Sequence, residues 1–574
     1  MRLIATALVL LLSAACQQEA TPATAPGSGD GADAKPWADD PAARRIEADL
    51  RYLADDRMEG RETGTPGYEL ASGYLARRYD ELGLQPAGDS ETYFQHVPLL
   101  KATLLADGAQ FVVKRGGRVI PLAFEKEFLP SSNFNTPEFL VEAPAVFVGQ
   151  AVHAPELDHD DFAGLDLAGK IAVVFGGAPE RFDNDRRAFH SSSREKLRNL
   201  VERGAIGVVF VNTAEEEARS PWARGAANWA RPTMRLRDDD GTAIDSFPQL
   251  RGAARVSAAA ADALFVGGDQ SSAQLFDAAA AGKLKGFDLP GTVLISGKSK
   301  LEQIESRNVV GRIPGSDPDL RAEHVVYTAH LDHLGIGKPV KDDRGQDDRI
   351  YNGAFDNALG VAIMLEAAHQ LQQAAAKPRR SMLFVALTAE EKGLLGSTWF
   401  AQRPTVPKDS LVANINMDMP VMTAPSTDVV PIGIEHSSLQ GVVEAAAKEV
   451  GVALSPDPFP EEVVFVRSDQ YSFVRAGIPA VYLDGGVVPA DKQRKPKVAL
   501  TYFLRNCYHQ PCDDADQPIH YGDAARLARL NARIGQLVGD ADQRPTWNKG
   551  DFFGERFGRA PAAGPNPPTA AAPE

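Results

Sequence analysis

Residues 324–335 read HVVYTAHLDHLG. The run Val325–Ala329 has the short, apolar, β-branched texture of a strand buried on both faces, and it ends on His330 with Asp332 two residues on. The same arrangement recurs downstream. NGAFDNALGVAIMLEAAHQLQQ (352–373) is a turn carrying Asp356 followed by an amphipathic helix. SMLFVALTAEEKGLLGS (381–397) is a strand that runs out into Glu390 and Glu391, and LVANINMDM (411–419) is a strand that runs out into Asp418. RNCYHQPCDD (505–514) places His509 in a loop. Strands alternating with helices predict an α/β fold, a mixed, mostly parallel sheet flanked by helices. In open α/β sheets ligands gather beyond the carboxyl ends of the strands, so the spacing predicts that these side chains converge in one crevice.

Upstream the texture differs. Residues 41–85 hold two stretches with apolar residues at helical spacing, separated by the Gly-rich turn RMEGRETGTPG (57–67). From about 140 come the short β-rich runs VEAPAVFVG, KIAVVFGG and AIGVVFVN, with the helical stretch REKLRNLVERG before the third, which predict a separate α+β lobe. The stretch 212–250, with Trp222, Trp229 and many Arg, reads as surface loops. At the amino end Arg2 precedes the apolar run LIATALVLLLSAA (3–15), which at 13 residues is shorter than the ~20 needed to span a bilayer and fits a secretory signal. Cys16 follows it, as in bacterial lipoprotein signals, although Ser13 stands where Leu is commonest; ordinary cleavage near Ala15 is the alternative. The expected division is therefore a signal peptide (1–16), a tether (17–40), the first part of a catalytic domain (41–140), an inserted lobe (141–288), the metal-binding part of the catalytic domain (289–545) and a Pro/Ala-rich tail (546–574). This predicts an exported bacterial protein of the periplasm or cell envelope, meeting the membrane only through a lipid on Cys16.

The chain has 574 residues, 44% hydrophobic and 24% charged, with a formal charge of −16, so a wholly disordered chain and a polytopic membrane protein are excluded, and a nucleic-acid partner is not expected. Each candidate group has an ordinary explanation on its own: a hydrogen-bonded His, a solvated Glu pair, an Asp capping a helix. Their joint order, His, Asp, Glu-Glu, Asp, His, does not. Adjacent carboxylates at a strand end are not buried together without a cation or a proton. Two imidazoles with three carboxylates suit a pair of Zn²⁺ ions, leaving a further carboxylate free to move protons.

The five segments, in this order, resemble the dinuclear-zinc aminopeptidases of the bacterial leucyl aminopeptidase type, whose relatives include glutamate carboxypeptidase and the transferrin receptor. LADDRMEGRETGTPG (53–67) resembles the opening of that family, and the central lobe resembles the protease-associated (PA) domain that many members carry as an insertion. The resemblance implies that Asp356 bridges two zinc ions, with His330 and Asp418 completing one site and Glu391 and His509 the other. It implies Glu390 as general base, Asp332 orienting His330 from behind, and a cis peptide bond at Asp356–Asn357. Arg467, in VRSDQYSF, and Tyr508 match positions that contact substrate in some members, as a donor near the substrate's amino end and a donor to the scissile carbonyl; a surface ion pair and a packing aromatic are the alternatives. His333 follows HLD where a smaller residue is frequent, and since the other ligands fill both sites it is placed behind the metals. Phe355 and Gln470 depart from the common pattern in ways expected to alter the substrate pocket.

The reaction so implied is removal of N-terminal residues from peptides with a free amino end, by attack of a metal-bridging hydroxide. A carboxypeptidase, a dipeptidase or a glutaminyl cyclase on the same fold, and a non-catalytic binding protein, are the other readings. Cys507 and Cys512 are the only Cys besides Cys16, and they bracket His509. In an oxidising compartment such a pair tends to bridge, which would hold the loop carrying Tyr508 and His509; two free thiols, or ligation of zinc, are the alternatives.

Overall fold

The protein, seen in a computed structural model, is described over residues 37–341 and 345–559. The signal with Cys16, most of the tether and residues 560–574 lie outside the described residues. Helices Pro41–Leu53 and Pro66–Glu81 open the chain, each with Pro in its first turn and a side-chain cap, Asp40 on the amide of Ala42 and Thr65 on that of Tyr68.

The catalytic sheet runs in the order Asp428–Ile432, Ala480–Asp484, Leu411–Asn416, His324–His330, Ser381–Leu387, Phe287–Ile313. The middle strands are parallel, and the register pairs His330 with Leu387 and Thr328 with Asn416, so all three finish at one edge. Both faces are covered, which is why these strands are buried along their whole length and mostly apolar. Val325, Tyr327, Ala329, Met382, Phe384 and Ala386 face helices Pro41–Leu53, Leu359–Gln373 and Tyr521–Asp540. Their alternates Val326, Leu383, Val385 and Leu387 pack with Phe400 and Phe473 on the other side.

A second lobe is built on a parallel sheet of Glu138–Phe147, Ile171–Phe175, Gly207–Val211 and Gly252–Val256, with Phe128–Pro130 antiparallel at its edge. One strand joins the two lobes. Phe287–Ile313 pairs with Glu138–Phe147 at its start, with Phe94–Arg115 along its length, and with Ser381–Leu387 at its end. No linker separates the lobes here: the chain crosses the expected boundary at 288/289 as continuous strand. The second core also takes in Phe111, Val113, Leu122 and Phe128, which precede residue 141, because the strand Phe94–Arg115 runs on into this lobe.

Two expectations need correction. The stretch 212–250 is not only surface loop: Thr233–Leu236 pairs with residues 99–102, and Met234 and Leu236 are buried with Val97, Leu99 and Trp399. The tail does not begin at 546. Residues 546–559 fold back with a helix, Phe552–Phe557, whose Phe553 is fully buried beside His436, Phe465 and Tyr471. Phe552 and Phe557 rest on Phe189 of the second lobe, and the Arg556 guanidinium lies 4.0 Å from the Phe189 ring centre. This segment therefore ties the lobes together from the carboxyl end.

Truncating this buried Phe leaves a cavity beside His436, Phe465 and Tyr471, so Phe553→Ala is expected to destabilise the protein by about 3–5 kcal/mol in urea unfolding. A cost near zero would contradict the folded role of residues beyond 545.

Candidate metal centre

The site lies beyond the common edge of the parallel strands. His330 ends its strand and is buried. Glu390 and Glu391 sit in the turn after Leu387, Asp418 lies two residues past Asn416, and Asp356 opens the turn into helix Leu359–Gln373. The Asp356–Asn357 peptide is cis.

Buried polar contacts fix this turn. Arg61, with no exposed surface, donates to the carbonyls of Leu331 (2.9 Å), Leu53 (2.6 Å), Asn352 (2.6 Å) and Gly353 (3.0 Å), joining the loop after His330 to the loop before Asp356. Burial pulls its pKa down to about 10. Asp513, also buried, accepts from the amides of Phe355 (2.8 Å) and Asp356 (3.1 Å). The Asn357 side chain accepts from Gly360 and Met419 amides and donates to the carbonyl of Met417.

The ligand atoms fall into two groups that share Asp356. His330 Nε2 lies 3.2 Å from Asp356 Oδ1 and 3.0 Å from Asp418 Oδ1. His509 Nε2 lies 3.2 Å from Asp356 Oδ2 and 3.2 Å from Glu391 Oε2. A tetrahedral Zn²⁺ with bonds of ~2.0–2.1 Å holds its donors ~3.3 Å apart, and only nitrogen and carboxylate oxygen are offered, so the residues present fit the ion. The five expected ligand residues are thus brought together.

The electrostatics are those of a carboxylate cluster deprived of water. Burial alone would lower the pKa of His330, but Asp418, Glu390 and Asp356 outweigh it and hold it well above the usual range. Burial would raise Asp356, yet His333, His330 and His509 keep it well below the ordinary carboxylate value. Glu390 is pushed well up, first by burial and then by Asp418, Glu391 and Asp469, against the opposing effect of His330. Asp469 is fully buried, neither of its oxygens has a well-directed hydrogen bond among the described residues, and burial raises it to about 7.

Several expected roles shift. His330 Nδ1 meets the backbone carbonyl of Asp332 at 3.0 Å, not its carboxylate. The Asp332 carboxylate instead accepts from the amides of Glu390 (3.1 Å) and Glu391 (3.4 Å) and from the hydroxyl of Thr63 (3.2 Å), so it shapes the Glu-Glu turn. Arg467 does not join the cluster. It is exposed, ion-paired with Glu462 at 3.0 Å, and lines a cavity with Ser192 and Tyr471, close enough for its charge to act on Tyr508. Gln470 and Phe355 do not face a pocket: Gln470 bonds Asn416 and the Phe465 carbonyl, and Phe355 packs edge-on against Phe503. Tyr508 stacks on His509 at 3.9 Å, and burial followed by Asp356, Glu391 and Glu390 keeps its phenol protonated. Cys507 and Cys512 are joined as a disulfide around this pair.

His333, placed behind the metals from sequence, is fully buried with Nδ1 2.7 Å from Glu391 Oε1 and 3.8 Å from Asp356 Oδ2. Gly353, at φ +61, leaves its ring room, since a Cβ there would lie 2.6 Å from His333 Cγ and Cδ2. Arg61, Thr63, Asp469 and Asp513 were not singled out from sequence. The available signals were the Gly-rich turn around Arg61 and Thr63, the VRSDQYSF stretch, and the position of Asp513 directly after Cys512.

Comparison with known proteins agrees with this geometry. Residues 308–534 match peptidase family M28 and residues 139–244 match the PA domain. Aminopeptidase Y of Saccharomyces cerevisiae is 28% identical over 225 residues, 38% of this chain and 36% of that protein. Carboxypeptidase Q of Rattus norvegicus is 28% identical over 181 residues, 31% of this chain and 33% of that protein. The chain thus aligns with about a third of the length of these curated relatives. The solved structure of an aminopeptidase from Aneurinibacillus sp. strain AM-1 shares the fold, with a TM-score of 0.51 at 20% identity, covering 88% of this chain and 95% of that one. Residues 308–534 are thus similar to peptidase family M28, and residues 139–244 to the PA domain.

Proposed function

We propose that the protein is a dinuclear zinc aminopeptidase that removes residues from the free amino end of peptides. The observation that carries this reading is the imbalance of charge at the strand edge. Asp332, Asp356, Asp418, Asp469 and Asp513 are buried there with Glu390 and Glu391 beside them. The nearby cations are engaged: Arg61 by four carbonyls and Lys392 by Glu62 at 2.7 Å. Among the described residues the site thus offers carboxylates to a substrate ammonium, and the side-chain cations beside it are already paired. A carboxypeptidase needs a free cation at the site, and Arg467 is ion-paired with Glu462 at 3.0 Å.

His330, Asp356 and Asp418 would hold one ion, and Glu391 and His509, with Asp356 shared, the other. Zinc bound there supplies an acidified water and polarises the peptide carbonyl. Glu390 carries no hydrogen bond on its carboxyl among the described residues, and its raised pKa suits a group that takes a proton from water and returns it to the leaving amine. Asp332 fixes the turn that presents it, and the protonated Tyr508 hydroxyl is the donor nearest in kind to a developing oxyanion.

Export, with lipid attachment at Cys16, is part of the proposal and rests on the sequence 1–16. Mass spectrometry of the amino-terminal peptide from the membrane fraction is expected to give Cys16 as a lipid-bearing first residue; an unmodified peptide starting elsewhere would overturn the anchor.

The test of the activity is a panel of aminoacyl amides with N-acetylated and C-terminal-release controls, run on the wild type and Glu390→Gln. Free-amino substrates are expected to turn over, blocked ones not, and the variant to lose about 10²–10⁴ in rate with its metal content intact. Equal cleavage of blocked substrates, release from the carboxyl end, or cyclisation of N-terminal glutamine would each contradict the aminopeptidase reading. Near-normal turnover by the variant would remove Glu390 as the base.

A further inference from the structure

The five ligand residues leave the two metal positions alike, three protein donors each. The fourth side chain at one of them makes the positions differ. His333 Nδ1 lies 2.7 Å from Glu391 Oε1 and 3.8 Å from Asp356 Oδ2, and His509 Nε2 lies 3.2 Å from the same Asp356 oxygen and 3.2 Å from the other Glu391 oxygen, Oε2, separations that bracket the ~3.3 Å edge of a zinc tetrahedron. His333, Asp356 and Glu391 by themselves place one donor atom each within 4.8 Å of one another. His333 has no exposed surface, and among the described residues neither of its ring nitrogens, nor Glu391 Oε1, has a well-directed hydrogen bond. A polar atom left bare in the interior is costly, and two that face each other at 2.7 Å off the hydrogen-bond axis are placed as donors around a shared point. At the other position His330 Nε2, Asp356 Oδ1 and Asp418 Oδ1 converge, and the remaining close neighbour of His330 is the backbone of Asp332, bonded to its other nitrogen. Asp356 serves the two positions with different oxygens, Oδ1 to one and Oδ2 to the other.

We propose that His333 is a direct metal ligand, so that the position of His333, Asp356, Glu391 and His509 is a closed four-donor site that holds its ion tightly, whereas the position of His330, Asp356 and Asp418 keeps an open coordination place and exchanges its ion more readily. Structural zinc sites are closed by four protein ligands, and catalytic ones keep three. The inference rests on the metal reading above and adds to it an order of loading and a division of labour: one ion that holds the Asp356 and His509 loops in place, and one that meets the substrate.

The test titrates zinc into the chelator-stripped full-length protein in competition with a chromophoric chelator, for the wild type, His333→Ala and His330→Ala. The wild type is expected to bind two ions, one more tightly. His333→Ala should weaken the tight ion by more than about 100-fold, beyond the range of 10–100-fold expected of a residue that merely positions a ligand. His330→Ala should weaken only the other ion. A wild type that binds two ions while His333→Ala weakens neither by more than about 100-fold overturns the ligand role and leaves the dinuclear reading standing; a wild type that binds fewer than two contradicts that reading itself. A second measurement needs no variant. X-ray absorption of the wild type carrying one equivalent of zinc is expected to show two imidazoles on the metal, and a single imidazole would overturn the proposal whatever the stability of His333→Ala.

Discussion

Asp356 is buried at the opening of helix Leu359–Gln373, with Asp418, Glu390 and Glu391 drawn up around it from two different strand ends. Carboxylates so placed cannot all ionise out of water without cations or protons among them. The imidazoles of His330, His333 and His509 answer Asp356, Asp418 and Glu391, but the outer members of the cluster show what they leave unbalanced. Burial lifts Asp332 to about 6, Asp469 to about 7 and Asp513 to about 8. Divalent ions between the inner carboxylates would supply the missing charge, and the donor separations fit such ions.

The scaffold exists to hold that arrangement. Parallel strands in register deliver His330 and the two turns to one edge. Arg61, Asp513, Asp332 and Asn357 then use nearly all their hydrogen-bonding capacity on backbone groups of the ligand-bearing loops, so each ligand has few ways to move. The Cys507–Cys512 bridge closes the loop that carries His509. The second lobe is stitched in by the continuous strand Phe287–Ile313 and by the segment around Phe553, which fixes it against the catalytic domain at two distant places.

The ligands were legible because each stands at the end of an element whose period is plain: a buried strand then His330, a strand then Glu390 and Glu391, a turn then a helix at Asp356. Arg61 and Asp513 were not, since their meaning lies in partners some 270 and 158 positions away along the chain. Arg467 was placed at the site on motif alone, and a motif does not say which way a side chain turns. The alternation TMRLR at 233–237 carried a readable strand that its Arg content disguised, and the aromatics Trp547, Phe552, Phe553 and Phe557 marked folded chain where the composition of 560–574 suggested tail. His333 was set aside by counting ligands, and only the fold shows where its ring lies.

The central claim is that cations complete this structure, and thermal unfolding tests it most directly. Anything that binds the folded chain alone raises its apparent stability with the logarithm of its concentration over Kd. Chelator-stripped protein is therefore expected to unfold at a markedly lower temperature than the zinc-loaded form, with the midpoint restored stepwise until two equivalents of zinc per chain are bound. A midpoint that is the same with and without zinc, or that saturates before the second equivalent, would contradict the account.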